Sequence, residues 1–113
     1  MIVRNLEGQE ARATTYIAHG GAIARMVLTR RELDEIGFFA CASLAPGKSI
    51  ESHVDPMEEI YFISKGEGEM TVGDERRHVV PGDAIWLPAK VPHALSNTGE
   101  EELFILVVAS PNF

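Results

Sequence analysis

From Ile23 onward the chain alternates short apolar-rich runs with clusters of turn residues. Ile23–Leu28, Phe38–Leu44, Ile50–Asp55 and Glu59–Ser64 read as strands; the last is rich in Ile, Tyr and Phe, which suit a pleated, half-buried surface. Glu69–Val72 and Arg76–Val80 flank a hairpin signal at Gly73-Asp74. Ala84–Leu87, His93–Asn97 and Leu103–Ala109 complete the series. Pro46-Gly47, Gly66 with Gly68, Pro81-Gly82-Asp83 and the loop Pro88–Pro92 punctuate it, and Pro56 breaks the run that precedes Glu59. Gly47, Gly66 and Gly82 read as turn positions that need a positive φ. Leu103–Ala109 is apolar on both faces, which predicts a central strand. Short strands at regular intervals predict a sandwich or a barrel, and periodicity does not choose between them.

One helix is expected. Thr29-Arg30-Arg31-Glu32 has the form of a capping box, with Thr29 as N-cap and Glu32 returning to its amide. Leu33 and Ile36 would share a face over one or two turns, and Gly37 would end the helix in the left-handed conformation. The segment up to His19 has no readable period.

The length of 113 residues suits one domain, residues 1–113. With 45% hydrophobic and 24% charged residues the composition is that of a folded globular chain, not a disordered one. The net charge of −7 repels phosphate backbones and argues against nucleic acid as a partner. The longest apolar run, Leu103–Ala109, is too short to cross a membrane, and the N-terminus, with Arg4 and Glu7, lacks the apolar stretch of a signal peptide. Cys41 is the single cysteine and lies in an apolar run, so a packed thiol, no intrachain disulfide and a cytoplasmic location are expected.

Two stretches carry candidate chemistry: Gly47 to Gly66 and Gly82 to Asn97. Together they offer His53, Asp55, Glu59 and His93 as donors for a divalent metal ion. Alternate residues of a strand share a face, so His53 and Asp55 point the same way. Pro56 interrupts the register, so parity does not choose between Glu58 and Glu59. Taken singly, each of these residues reads as structural; it is their joint spacing that suggests a site.

That spacing resembles the paired signature of the cupin superfamily. Gly47, His53, Glu59 and Gly66 fall on its first motif, G-x5-H-x-H-x3-4-E-x6-G, with Asp55 where the second His is expected. Gly82, Pro88, His93 and Asn97 fall on its second, G-x5-P-x-G-x2-H-x3-N, with Lys90 in place of the middle Gly. The resemblance implies an all-β fold, a double-stranded β-helix or jelly-roll barrel, with the one short helix in the N-terminal third. It favours Glu59 over Glu58, and it implies one divalent ion (Fe, Mn, Ni, Co or Zn) held inside the barrel by His53, Glu59 and His93. Asp55 either joins them directly or bonds a ligating water or imidazole.

The same resemblance implies an enzyme acting on a small organic molecule, an isomerase, epimerase, lyase or decarboxylase, with a metal-dependent dioxygenase as an alternative. A non-catalytic small-molecule-binding or sensor module is the rival from another class. A homodimer is expected. Tyr61, two positions from Glu59, is a candidate proton donor. Trp86 reads as core, His78 as surface, Lys90 as solvated, and His19 as a weaker candidate for the mouth of the barrel. A second carboxylate among the donors cancels the net charge of a divalent ion, so neutral or chelating substrates are expected.

Overall fold

In a computed structural model, which describes residues 1–112, two antiparallel sheets face each other. The elements are α1 (Gln9–Arg12), β1 (Tyr16–Ala18), β2 (Ala22–Leu28), β3 (Phe38–Leu44), β4 (Ser49–His53), β5 (Glu59–Lys65), β6 (Gly68–Val72), β7 (Glu75–Val79), β8 (Ala84–Leu87), β9 (His93–Asn97) and β10 (Leu103–Ala109). One sheet has the order β1-β2-β3-β10-β5-β8 and the other β4-β9-β6-β7. This is the jelly-roll, double-stranded β-helix arrangement that the motif resemblance implies.

Period-two alternation places the core. In β5 the inward positions are Glu59, Tyr61 and Ile63, in β9 His93, Leu95 and Asn97, and in β10 Leu103, Ile105, Val107 and Ala109. Leu44, Ile63, Leu87, Leu95, Leu103 and Ile105 are fully buried between the sheets, each contributing roughly 1.5–3 kcal/mol by leaving water. Gly47, Gly66 and Gly82 take the positive φ expected of them, +80°, +80° and +94°. At Gly66 a side chain would also press into the Glu102–Leu103 backbone.

Three expectations are corrected. The Thr29–Gly37 segment is a capped turn, not a helix. Glu32 does accept from the Thr29 amide at 3.2 Å, and the Leu33 amide bonds the Thr29 carbonyl at 2.9 Å, yet the chain then leaves the helical path. Gly37 is tied to Ala109 O at 2.8 Å and has no room for a Cβ against Ser110, so its glycine serves close approach to β10, not a left-handed cap. The helix is instead α1, in the segment without a readable period. Secondly, β4 ends at His53, and Asp55 lies in the loop beyond it. β10 is central, between β3 and β5, as expected, with Val108 exposed on its outer face. Finally, Trp86 is 62% exposed. Leu87 points inward, so strand parity turns Trp86 outward, where its indole N–H donates to Glu58 at 2.7 Å.

Candidate metal centre

The two imidazoles come from paired strands. His53 in β4 stands opposite His93 in β9, with ring centroids 4.3 Å apart. Simple alternation from the buried Ile50 would put His53 on the other face. A bulge in β4 prevents this: three steps from Ile50 to His53 match two from Leu95 to His93, so Ile50 and His53 both turn inward. The His53 Nδ1 lies 2.8 Å from the Glu51 carbonyl, and the His93 Nδ1 lies 3.3 Å from the Val91 carbonyl. With each Nδ1 occupied as a donor, both Nε2 atoms are left to offer lone pairs into the interior.

The carboxylates come from the next stretch of chain. Glu59 opens β5 facing inward and is 5% exposed, while Glu58 faces out to Trp86; the choice that parity left open falls on Glu59. The Asp55 carboxylate Oδ2 lies 3.1 Å from His53 Nε2 and 3.6 Å from His93 Nε2, and Glu59 Oε1 lies 3.6 Å from His93 Nε2. With bonds of about 2.1 Å to a common ion, neighbouring donor atoms sit roughly 3.0–3.4 Å apart. The 3.1 Å pair matches this and the 3.6 Å pairs exceed it slightly. The donors fall in two groups that share Asp55, one with His53 and His19, the other with Glu59 and His93. The loop carrying Asp55 is pinned by a hydrogen bond from the Lys90 amide to the Asp55 carbonyl at 2.8 Å. Lys90 adopts φ +66° there, the left-handed conformation for which the motif has glycine.

The electrostatics fit a missing positive charge. Glu59 Oε1 and His93 Nε2 are buried without a hydrogen-bond partner, a costly state for polar atoms. Burial, a hydrogen bond to Asp55 and the Asp55 charge push Glu59 up to about 8. Burial, reinforced by His53, lowers the pKa of His93, which keeps the imidazole neutral and able to ligate. A cation among these groups would satisfy the orphaned atoms and draw the proton off Glu59. The donor set therefore fits a divalent metal.

A cavity of about 200 Å³ adjoins the donors. Alanines of β2 and β3 (Ala22, Ala24, Ala40 and Ala42) form its apolar wall, and Tyr16, His19, Asp55, Glu59 and Tyr61 its polar side. Tyr61 is buried on the same face as Glu59, edge-on to His93 with centroids 5.8 Å apart. Burial first, then the Glu59 and Asp55 charges, raise the pKa of its phenol. Tyr16 went unremarked in the sequence because its strand is only three residues long. His19 lies closer to the site than expected, its ring stacked on His53 at 3.4 Å between centroids. A larger hollow of about 700 Å³ runs between β7 and β8 but touches none of the His, Asp55 or Glu59 donors.

The remaining motif residues are structural. Asn97 is buried; its amide donates to Leu44 O and Glu101 O, both at 2.8 Å, and its Oδ1 accepts from the Gly99 amide at 2.9 Å. His78 is on the surface beside Glu67 at 3.2 Å, as expected, and Cys41 is a buried free thiol whose pKa is raised by burial. No helix among the described residues is long and apolar enough to cross a membrane.

Known proteins share this framework. An uncharacterized protein of Methanocaldococcus jannaschii is 32% identical over 100 residues, 87% of this chain and 80% of that protein. The oxalate-binding protein of Thermotoga maritima is 29% identical over 96% of this chain and 92% of its own length. The crystal structure of a predicted oxalate decarboxylase from Thermotoga maritima superposes with a TM-score of 0.76 at 26% identity, over 99% of this chain and all of that one (100%). The model of the cupin domain matches residues 41–109, from β3 through β10 and including every donor from His53 to His93. The chain belongs to the cupin domain family.

Proposed function

We propose that this chain binds one divalent ion (Fe, Mn, Ni, Co or Zn) through His53, Asp55, Glu59 and His93 and carries out metal-assisted chemistry on a small organic molecule. The observation that supports this most is the pair of buried, unpartnered atoms, Glu59 Oε1 and His93 Nε2, 3.6 Å apart. When bound, such an ion polarises a carbonyl or enolate oxygen of the substrate. The chain's own residues do the rest. The carbonyls of Glu51 and Val91 orient the two imidazoles. The alanine wall borders a space of about 200 Å³, which suits a small organic molecule. Tyr61, held protonated by its buried surroundings, donates a hydrogen bond to a substrate oxygen beside the donors.

Two carboxylates and two neutral imidazoles leave a divalent ion without net charge, so the site favours neutral or chelating substrates over simple anions. Titrating the metal-loaded protein with a carboxylate and its uncharged analogue tests this, and preference for the anion counts against it. Turnover of a metabolite panel by the metal-loaded protein, abolished in His93→Ala, supports the enzyme. Tight binding of a panel member without turnover supports the second reading, a non-catalytic binding module. The 29% identity to a protein named for binding oxalate favours that alternative.

A cytoplasmic homodimer completes the proposal. Val108, Ile60 and Trp86 stand in one cross-strand row on the outer face of β10, β5 and β8, and all three are exposed. A second copy of the chain would cover them. Sedimentation as a monomer at micromolar concentration would remove the dimer from the account.

A further inference from the structure

We propose that His19 is a further donor to the same ion, carried to it by the β1–β2 hairpin. This inference rests on the metal-centre reading above and extends it to a residue outside both motif stretches. His19 opens the three-residue connection between β1 and β2, and it holds φ +46°. Among the described residues only His19 and Lys90 adopt a positive φ without being glycine, and such backbone is retained where its surroundings over-determine it.

The surroundings are visible. The His19 carbonyl accepts from the Glu51 amide at 2.9 Å, while the Glu51 carbonyl holds the His53 Nδ1 at 2.8 Å. One peptide segment of β4 thus anchors both histidines. Gly20 and Gly21 complete the hairpin apex, and a Cβ on either would overlap the Glu51 side chain or the Ser49 backbone. The apex can lie this close to β4 because these two positions lack side chains.

The geometry puts the ring within reach of the cation. Ligating atoms of His19, His53 and Asp55 all lie within 4.8 Å of one another, and Asp55 also belongs to the cluster with Glu59 and His93. The His19 and His53 rings are stacked at 6° between planes. Imidazole lone pairs lie in the ring plane, so two parallel rings cannot both aim at one ion. His19 is on the exposed side of the cluster, and it is the ring free to turn off the stack and close the coordination sphere. It adds a neutral donor to a set already holding two carboxylates, so the charge of the centre is unchanged.

The test is a zinc titration of the full chain carrying ¹⁵N-labelled histidine, followed by long-range proton–nitrogen NMR. The proposal expects the ring nitrogens of His19, His53 and His93 to shift together and saturate at one ion, while His78 stays in place. His19→Ala should weaken zinc binding roughly tenfold to a hundredfold. His19→Asn, which tolerates the left-handed backbone, should weaken it similarly while leaving the fold and its thermal midpoint in place. Shifts confined to His53 and His93, with wild-type zinc affinity in His19→Asn, overturn the role of His19 and leave the metal centre standing. If no imidazole responds to zinc, manganese or nickel, the metal centre falls and this inference with it.

Discussion

His53 faces His93 across the β4–β9 pairing, 4.3 Å between ring centroids, because β4 carries one residue more than β9 between Ile50 and His53. Two residues forty positions apart in the chain are thereby set on one side of the interior with their Nε2 atoms toward the same carboxylate, that of Asp55.

If His53 and His93 hold the same ion, as proposed, the two are energetically coupled. His53→Ala and His93→Ala each should remove most of the affinity for a divalent ion. The double variant should lose less than the two single losses combined, with a coupling of about 0.5–3 kcal/mol. Zinc affinities of the four proteins, measured by competition with a chelator, check this; additive losses would place the two rings in separate sites.

The protonation of Glu59 predicts how the metal-free protein responds to pH. In the unfolded chain a glutamate titrates near 4.5, and in the fold Glu59 is pushed up to about 8. Between those values the native state holds a proton that the unfolded chain has lost. The stabilisation is complete below about pH 4.5 and is lost as pH rises through about 8. His93 and His19, both lowered from 6.5, act in the opposite sense on the acid side. The Glu59 slope is therefore read above pH 6.5. Denaturant midpoints should fall between pH 6.5 and 8 in the metal-free wild type and stay level in Glu59→Gln; equal slopes in both would remove Glu59 as the source.

Much of this architecture is legible in the sequence because turn chemistry is local. The strands from β2 to β10 follow from Gly and Pro punctuation and from alternation, with boundaries displaced by two residues at most. The N-terminal hairpin is not legible in the same way. β1 pairs only three residues with β2, and Tyr16 and Ile17 are exposed, so no apolar period marks it. The capping box at Thr29 forms its hydrogen bond without a helix behind it, because one turn is a costly nucleus and Gly37 must meet β10. At the site, spacing singled out His53, Asp55, Glu59 and His93; the fold sets Asp55 within reach of His53 on one side and of Glu59 and His93 on the other. His19 stands apart from them in sequence, and only the contact of its hairpin with β4 brings it to the cluster.

Lys90 shows what the departure from the motif glycine does. Left-handed backbone costs a residue with a side chain about 1–2 kcal/mol, and glycine gives back about 0.5–1 kcal/mol through its freer unfolded state. Lys90→Gly should therefore be neutral or stabilising by up to about 1 kcal/mol, with metal affinity unchanged. Lys90→Val, β-branched at φ +66°, should destabilise. Chemical denaturation of the three proteins decides; a clear loss of stability in Lys90→Gly would show that the lysine side chain itself holds the loop.

Asn97 predicts a purely structural loss. Asn97→Ala leaves Leu44 O, Glu101 O and the Gly99 amide without their partner. At about 1–3 kcal/mol for a buried unsatisfied group, and with two of the three near water, a loss of about 2–4 kcal/mol is expected. Metal affinity of the folded fraction should be unaltered. Denaturation and zinc binding, measured on the same sample, separate the two effects.

One cation held by side chains from β4, β5, β9 and the loop after β4 is the central proposal. Elemental analysis of the purified chain and of His93→Ala, after equal exposure to divalent metals and removal of free ions, tests it most directly. One ion per chain in the wild type and its loss in His93→Ala is the predicted result. Equal metal content in the two proteins, or none in either, would contradict the account.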